Sequence, residues 1–195
     1  MIYLVRHGET VFNAEGRQQG RLDSPLTALG EAQAASVGRL LQRIVGKPDG
    51  WRLVASPLGR TQATAAIIGK TLRLPVETDP RLTEISFGEW DGRLRDELAL
   101  EHPKAFASQD WRFAAPGGES YEAVHARLAD WLASQPPEHS RKLIVVSHGG
   151  AGRVLRGAFM GLSREALWDM EIPQDAVYRL ANGSIERFDC EPAEG

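Results

Sequence analysis

The stretch Leu143-Ile144-Val145-Val146-Ser147-His148-Gly149-Gly150 decides the fold. Its four consecutive apolar residues show no polar alternation, so the run reads as a strand buried on both faces, as in a parallel sheet covered by helices. It stops at a Ser-His pair followed by two glycines, which mark the turn beyond the strand's carboxyl end. Working outward, the same pattern stands twice more. Ile2-Tyr3-Leu4-Val5 stops at Arg6-His7-Gly8-Glu9-Thr10, and Arg52-Leu53-Val54-Ala55 stops at Ser56-Pro57, with Arg60 three residues further on. Val76-Glu77-Thr78 reads as a short strand, and residues 176–180 and 184–188, joined through Asn182-Gly183, as a closing hairpin. Helical spacing fills the intervals. Thr27 reads as an N-cap with Glu31 in the first turn, and Leu29, Ala32, Leu40, Leu41 and Ile44 fall near one face, which predicts a helix over 28–45 that ends near Gly46 and Pro48. Further helices are expected over 61–72, 94–100 and 152–160, and from Glu119 with a stripe of Val124, Leu128, Trp131 and Leu132. Residues 8–25 read as a polar loop and 84–116 as largely irregular.

Strands alternating with helices give an α/β class: one domain over residues 1–195, a three-layer α/β/α sandwich around a mostly parallel sheet. A chain of 195 residues suits one domain with a sizeable core, and 42% hydrophobic with 25% charged residues is ordinary for a globular chain. Twenty-three Lys and Arg against 26 Asp and Glu leave a net charge of −3, which argues against general nucleic-acid binding. One cysteine, Cys190, excludes a disulfide framework and a cysteine zinc cluster. No apolar run approaches the ~20 residues needed to span a bilayer. Met-Ile-Tyr-Leu-Val is too short for a signal peptide, so a cytoplasmic location without membrane partners is expected. A homo-oligomer is neither required nor excluded.

In such folds ligands lie beyond the carboxyl ends of the strands. Three strand ends deliver Arg6, His7, Arg60 and His148 to one edge, and Glu84, in the irregular stretch, is placed to reach it. Taken singly, each is most simply a structural or ion-pair residue. Together they make a pocket for phosphoryl transfer without a metal. Arginine offers planar, permanently charged phosphate recognition, neutral histidine is a nucleophile, and a glycine beside each histidine (Gly8, Gly149) leaves room for a ligand near the backbone. Other features carry less. Gly69-Lys70-Thr71 lacks the first glycine of a P-loop and reads as mid-helix. Ser147 and His148 are strand neighbours that face opposite ways. His102, His125 and His139 read as solvated, and no histidine pair has metal-ligand spacing. The five tryptophans read as packing residues, with Trp90 and Trp111 the two that could line a pocket.

Residues 4–10 resemble the signature of the histidine phosphatase superfamily, also called the phosphoglycerate mutase-like family. The resemblance continues through Asn13, Gln19-Gly20, residues 23–27, Gly30, residues 55–64, residues 82–92 and residues 146–150, in family order and over most of the chain. It implies that His7 is a nucleophile forming a phosphohistidine, that Arg6, Arg60 and His148 clamp the phosphoryl oxygens, and that Glu84 protonates the leaving oxygen. Thr10, Asn13, Gln19, Gly20 and Gly149 look like secondary contacts to a small phosphorylated substrate, with no metal and no cofactor. His7 must be unprotonated to attack, and the two neighbouring arginines favour that form. Arg21 stands where many relatives carry an aromatic residue, and its charge would suit a second acidic group on the substrate.

Three activities fit the resemblance. Mutases in the family generally carry a longer segment after the acid residue and a C-terminal tail that closes the site. Here the 84–116 segment is short and the 190–195 tail is short and polar, which favours a phosphatase over a phosphoglycerate mutase. A non-catalytic phospho-ligand binder is the third reading, and the presence of all five central residues argues against it.

Overall fold

The computed structural model describes residues 1–191. Its centre is a six-stranded sheet of β1 (Ile2–Arg6), β2 (Arg52–Ala55), β3 (Val76–Thr78), β4 (Leu143–Ser147), β5 (Ala176–Ala181) and β6 (Ser184–Asp189) in the order β3-β2-β4-β1-β5-β6. The first four in that order run parallel, and β5 and β6 are antiparallel additions beside β1. The buried run of β4 is the middle of the parallel part, with Leu143 opposite Ile2 on one side and Arg52 on the other.

Alternation along each strand divides the core in two. Leu143 and Val145 of β4, with Ile2 and Leu4 of β1, pack against α6 (Tyr121–Ala133) and α7 (Gly149–Met160) through Val124, Leu128, Trp131, Val154 and Leu155. Ile144, Val146, Tyr3 and Val5 face the other way, onto α2 (Ala28–Val45) and α3 (Gly59–Leu72) through Val37, Leu41, Ala65 and Ile68. These are the three layers expected of a parallel sheet buried on both faces. The Asn182-Gly183 turn has both residues at positive φ (52° and 66°), the primed geometry that matches the twist of a two-residue hairpin.

The structure corrects several expectations. Residues 8–25 contain a one-turn helix, α1 (Val11–Ala14), capped by Thr10 and Asn13 on each other's backbone. Leu29 is 40% exposed, because the buried face of α2 is set by Ala34, Val37, Leu40 and Leu41. Ser120, not Glu119, caps α6. Helix α7 starts at Gly149, directly after β4, and not at residue 152. The 84–116 stretch holds α4 (Arg95–Glu101), α5 (Pro103–Phe106) and short 3-10 turns, and its Ile85, Phe87, Trp90, Leu98 and Trp111 belong to the core on the α6–α7 side. Of the tail, residues 192–195 lie outside the described residues. No helix among the described residues is long and apolar enough to cross a membrane.

Candidate active site

Strands β1 and β4 are adjacent and parallel, so their carboxyl ends place His7 and His148 side by side, with ring centroids 5.3 Å apart. Both rings are buried, His7 to 3% and His148 to 2% exposure. Arg60 enters from the first turn of α3, with its side chain 1% exposed. It is pinned on three sides, by the Leu22 carbonyl at 2.7 Å, the Gly20 carbonyl at 2.8 Å and the Asp23 carboxylate at 2.9 Å. Arg6 Nη1 donates to the Ile172 carbonyl at 2.6 Å.

Hydrogen bonds fix the His7 tautomer, and one partner bears on that of His148. His7 Nδ1 lies 2.8 Å from the Gly8 carbonyl, which can only accept, so Nδ1 carries the proton. Arg60 Nε donates to His7 Nε2 at 3.3 Å, which requires a lone pair there. The second ring is read through Ser56. Its Oγ accepts from Leu58 N at 3.4 Å and lies 2.8 Å from His148 Nε2. A hydroxyl that donates its proton to Nε2 leaves Nδ1–H of His148 as a free donor. Among the described residues, the buried side-chain atoms left without a partner are two, His148 Nδ1 and Arg6 Nε. Burial, then the charges of Arg6 and Arg60, hold the His7 pKa well below the usual histidine range, against the opposing Gly8 hydrogen bond. Burial, Arg60, His7 and Arg6 do the same for His148.

Glu84 reaches the same edge. Its carboxyl group accepts from Ile85 N at 2.9 Å, Ala151 N at 2.7 Å and Gly150 N at 3.1 Å. It thus satisfies open N–H groups at the start of α7, where the His148 side chain makes no cap. Of about four acceptor positions on a carboxylate, three are taken. Arg127 holds the chain beneath, donating to the Arg81 and Thr83 carbonyls at 2.7 and 2.8 Å.

A cavity of about 230 Å³ opens over Arg6, His7, Arg60 and Glu84, and His148 borders a smaller cavity beside it that shares Arg6 and Gly149. Arg6, His7, Asn13, Gln19, Gly20, Arg60, Glu84 and Gly149 line the larger cavity, as do Trp111 and three cations that the sequence reading did not single out, Arg17, Arg95 and Arg112. Not every expected residue is there. Arg21 does not line the cavity; it pairs with Glu119 at 3.1 Å, and its N–H is directed at Asp91. Thr10 is fully buried and acts behind the wall, where its Oγ1 accepts from Gln19 Nε2 at 2.7 Å. Trp90 is core, packed near Phe106 and His102, so of the two tryptophans only Trp111 reaches the cavity. Gly8 makes room for protein and not for ligand: a Cβ there would stand 2.2 Å from the Gly30 carbonyl oxygen. Gly149 does border the cavity, and a Cβ on it would come 3.4 Å from Arg6 Nε. Among the described residues, no three His, Cys, Asp or Glu side chains converge as a metal site.

The chain is similar to known proteins in sequence and fold. The family model described as "Histidine phosphatase superfamily (branch 1)" matches residues 2–187. The protein named "Probable phosphoglycerate mutase GpmB" from Salmonella paratyphi C is 39% identical over 202 residues, covering 99% of this chain and 86% of its own length. Among solved structures, a mycobacterial glucosyl-3-phosphoglycerate phosphatase in complex with VO3 superposes with a TM-score of 0.79 at 31% identity, covering 99% of this chain and 98% of that one. The alpha-ribazole phosphatase from Shigella flexneri superposes with a TM-score of 0.77 at 28% identity, covering 100% and 98%. With its sheet order, its paired histidines and this match over nearly its whole length, the chain belongs to branch 1 of the histidine phosphatase superfamily.

Proposed function

We propose that this protein is a metal-independent phosphomonoesterase that hydrolyses a small phosphorylated metabolite through a phosphohistidine on His7. The observation that carries the reading is the pair of buried, unpartnered atoms, Arg6 Nε and His148 Nδ1, beside a His7 Nε2 that keeps its lone pair. Leaving buried donors unpaired costs about 1–3 kcal/mol each, and phosphoryl oxygens supply the missing acceptors. His7 Nε2 attacks phosphorus, a P–N bond forms and the P–O ester bond breaks. Glu84 gives its proton to the departing oxygen. Arg6, Arg60 and His148 take up the charge on the equatorial oxygens, the part that Mg²⁺ plays in other phosphoryl-transfer sites. Water then attacks the phosphohistidine, with its proton passing to Glu84, and inorganic phosphate leaves a neutral His7.

Hydrolysis is favoured over mutase chemistry by the wall that residues 84–118 build. Phe87, Trp90 and Trp111 are anchored in the core, so this segment is a fixed side of an open cavity and not a cover. A phosphohistidine persists only where water is excluded. The names of the structural neighbours point the same way, whereas the name of the Salmonella relative favours the mutase alternative. The test supplies 3-phosphoglycerate with a catalytic amount of 2,3-bisphosphoglycerate and follows inorganic phosphate and 2-phosphoglycerate together. Phosphate release exceeding isomerisation is expected. Isomerisation clearly faster than release would replace the phosphatase reading with the mutase one.

A further inference from the structure

The cavity holds more positive charge than one phosphoryl group uses. Five arginines line it against a single carboxylate, Glu84. Two of the five are already paired, Arg17 with Glu15 at 2.6 Å and Arg60 with Asp23 at 2.9 Å. Arg6 belongs to the phosphoryl site. Arg95 and Arg112 remain, and neither forms a salt bridge with an Asp or Glu among the described residues. They share one support. The Arg95 and Arg112 guanidinium carbons lie 5.5 and 4.5 Å from the centre of the buried Trp111 ring, and Arg112 also lies 5.2 Å from that of Trp168. The one polar contact of the Arg112 head group is a long hydrogen bond, 3.4 Å, to the Gln109 carbonyl. Burial, then the neighbouring charges of Arg153 and Arg95, pull its pKa down to about 10. Two like charges held against one buried aromatic ring, both lining the cavity, lack a counter-ion among the described residues. Guanidinium forks match carboxylate and phosphate oxygens. The other cation available for such a role, Arg21, is already occupied by Glu119.

We infer that Arg95 and Arg112 form a second anion subsite, and that the substrate is a phosphomonoester with a further anionic group, carboxylate or phosphate, a few bonds from the ester. This inference rests on the esterase reading above and narrows its substrate class. A neutral phosphate ester would fill the His7 end and leave the Trp111 wall uncompensated.

The test compares kcat/KM for 3-phosphoglycerate, glycerol 3-phosphate and glycerol 1,3-bisphosphate. The first two share a skeleton and differ by a carboxylate against a CH2OH group, and the third carries a second phosphate. The wild-type protein should prefer at least one acidic ester over glycerol 3-phosphate by ten-fold or more, and the better of the two identifies the anion. Arg95→Gln, at an exposed position where folding is not at stake, should lower that ratio at least three-fold. Arg95→Gln with Arg112→Gln should bring it within three-fold of one. A wild-type ratio under ten, or a ratio that survives the double substitution, overturns the subsite. Hydrolysis of p-nitrophenyl phosphate by the wild-type protein separates the two readings. If no ester is hydrolysed, the esterase reading fails, and the subsite is decided by calorimetry. A ten-fold tighter Kd for an acidic ester than for glycerol 3-phosphate, lost in the double variant, supports it, and equal Kd values refute it.

Discussion

Lowering the pH from 7.5 to 5.5 should destabilise this protein by about 2.7 kcal/mol through two side chains alone, His7 and His148. Both are buried and held neutral, first by burial and then by neighbouring positive charge, so their folded-state pKa values lie well below 6.5. In the unfolded chain each titrates near 6.5. The sign follows from proton counting: as pH falls through 6.5 the unfolded chain binds protons that the folded protein refuses. The stability these residues contribute is therefore present above 6.5 and lost as pH falls from there towards the folded-state values. For a site that stays neutral when folded, the loss between pH 7.5 and 5.5 is ~1.4 kcal/mol, and two sites double it. Carboxylates contribute to the same pH response, so the comparison is with a His7→Gln, His148→Gln variant. Urea unfolding at both pH values should show the wild-type protein losing about 2.7 kcal/mol more than the variant. In thermal melts that corresponds to roughly 5–11 °C of additional Tm depression for a chain of this size. An excess of ~1.4 kcal/mol or less would mean that at least one ring accepts a proton in the folded protein at pH 5.5, and the tautomer assignments built on neutral rings would fail with it.

Three further outcomes follow from the site. Glu84→Gln should lower kcat on alkyl phosphates by about 10²-fold or more and on p-nitrophenyl phosphate by much less, because a good leaving group does not need the proton; equal losses on both would remove Glu84 as the acid. Ser56→Ala should reduce kcat/KM about 3–10-fold, the worth of one buried hydrogen bond that sets the His148 tautomer, and Ser56→Thr should recover most of it; an unchanged pH profile and rate in Ser56→Ala would show that the hydroxyl does not direct that ring. Turnover should survive EDTA and dialysis while vanadate inhibits, since arginines supply the charge at the phosphoryl site; loss on chelation that Mg²⁺ or Zn²⁺ restores would overturn that assignment.

The sheet was legible because β1 and β4 are uninterrupted apolar runs, and no helical or alternating pattern competes with Leu143–Val146. The strand ends then named Arg6, His7, Arg60 and His148, which the structure gathers within one site. What stayed hidden depends on where irregular chain goes. Nothing in the spacing of residues 84–118 shows that Trp111 turns inward and carries Arg95 and Arg112 to the cavity. A basic residue on each side of an inward-facing tryptophan, Arg95 and Arg112, was the signal available, but it has meaning only once that path is known. The Arg21 expectation failed for the same reason, since Glu119 is distant in sequence and adjacent in space. Gly8 was read as ligand clearance because its partner, Gly30, lies on α2, beyond α1 in the chain, and its approach cannot be foreseen from local sequence. The one-turn α1 escaped because its cap pairs Thr10 with Asn13, not with the Glu or Gln that signals a capping box.

The claim that hydrolysis runs through a covalent bond to His7 Nε2 is tested most directly by rapid acid-free quenching of a turnover mixture with ³²P-labelled substrate, followed by peptide mapping. The account predicts label on His7 that is stable to alkali and labile to acid, that forms and decays fast enough to carry kcat, and that is absent from His7→Ala, which should still fold and lose nearly all turnover. A His7→Ala protein that keeps more than about a tenth of the wild-type kcat, a barrier change under ~1.4 kcal/mol, or a wild-type protein that turns over with no label on His7, would contradict it.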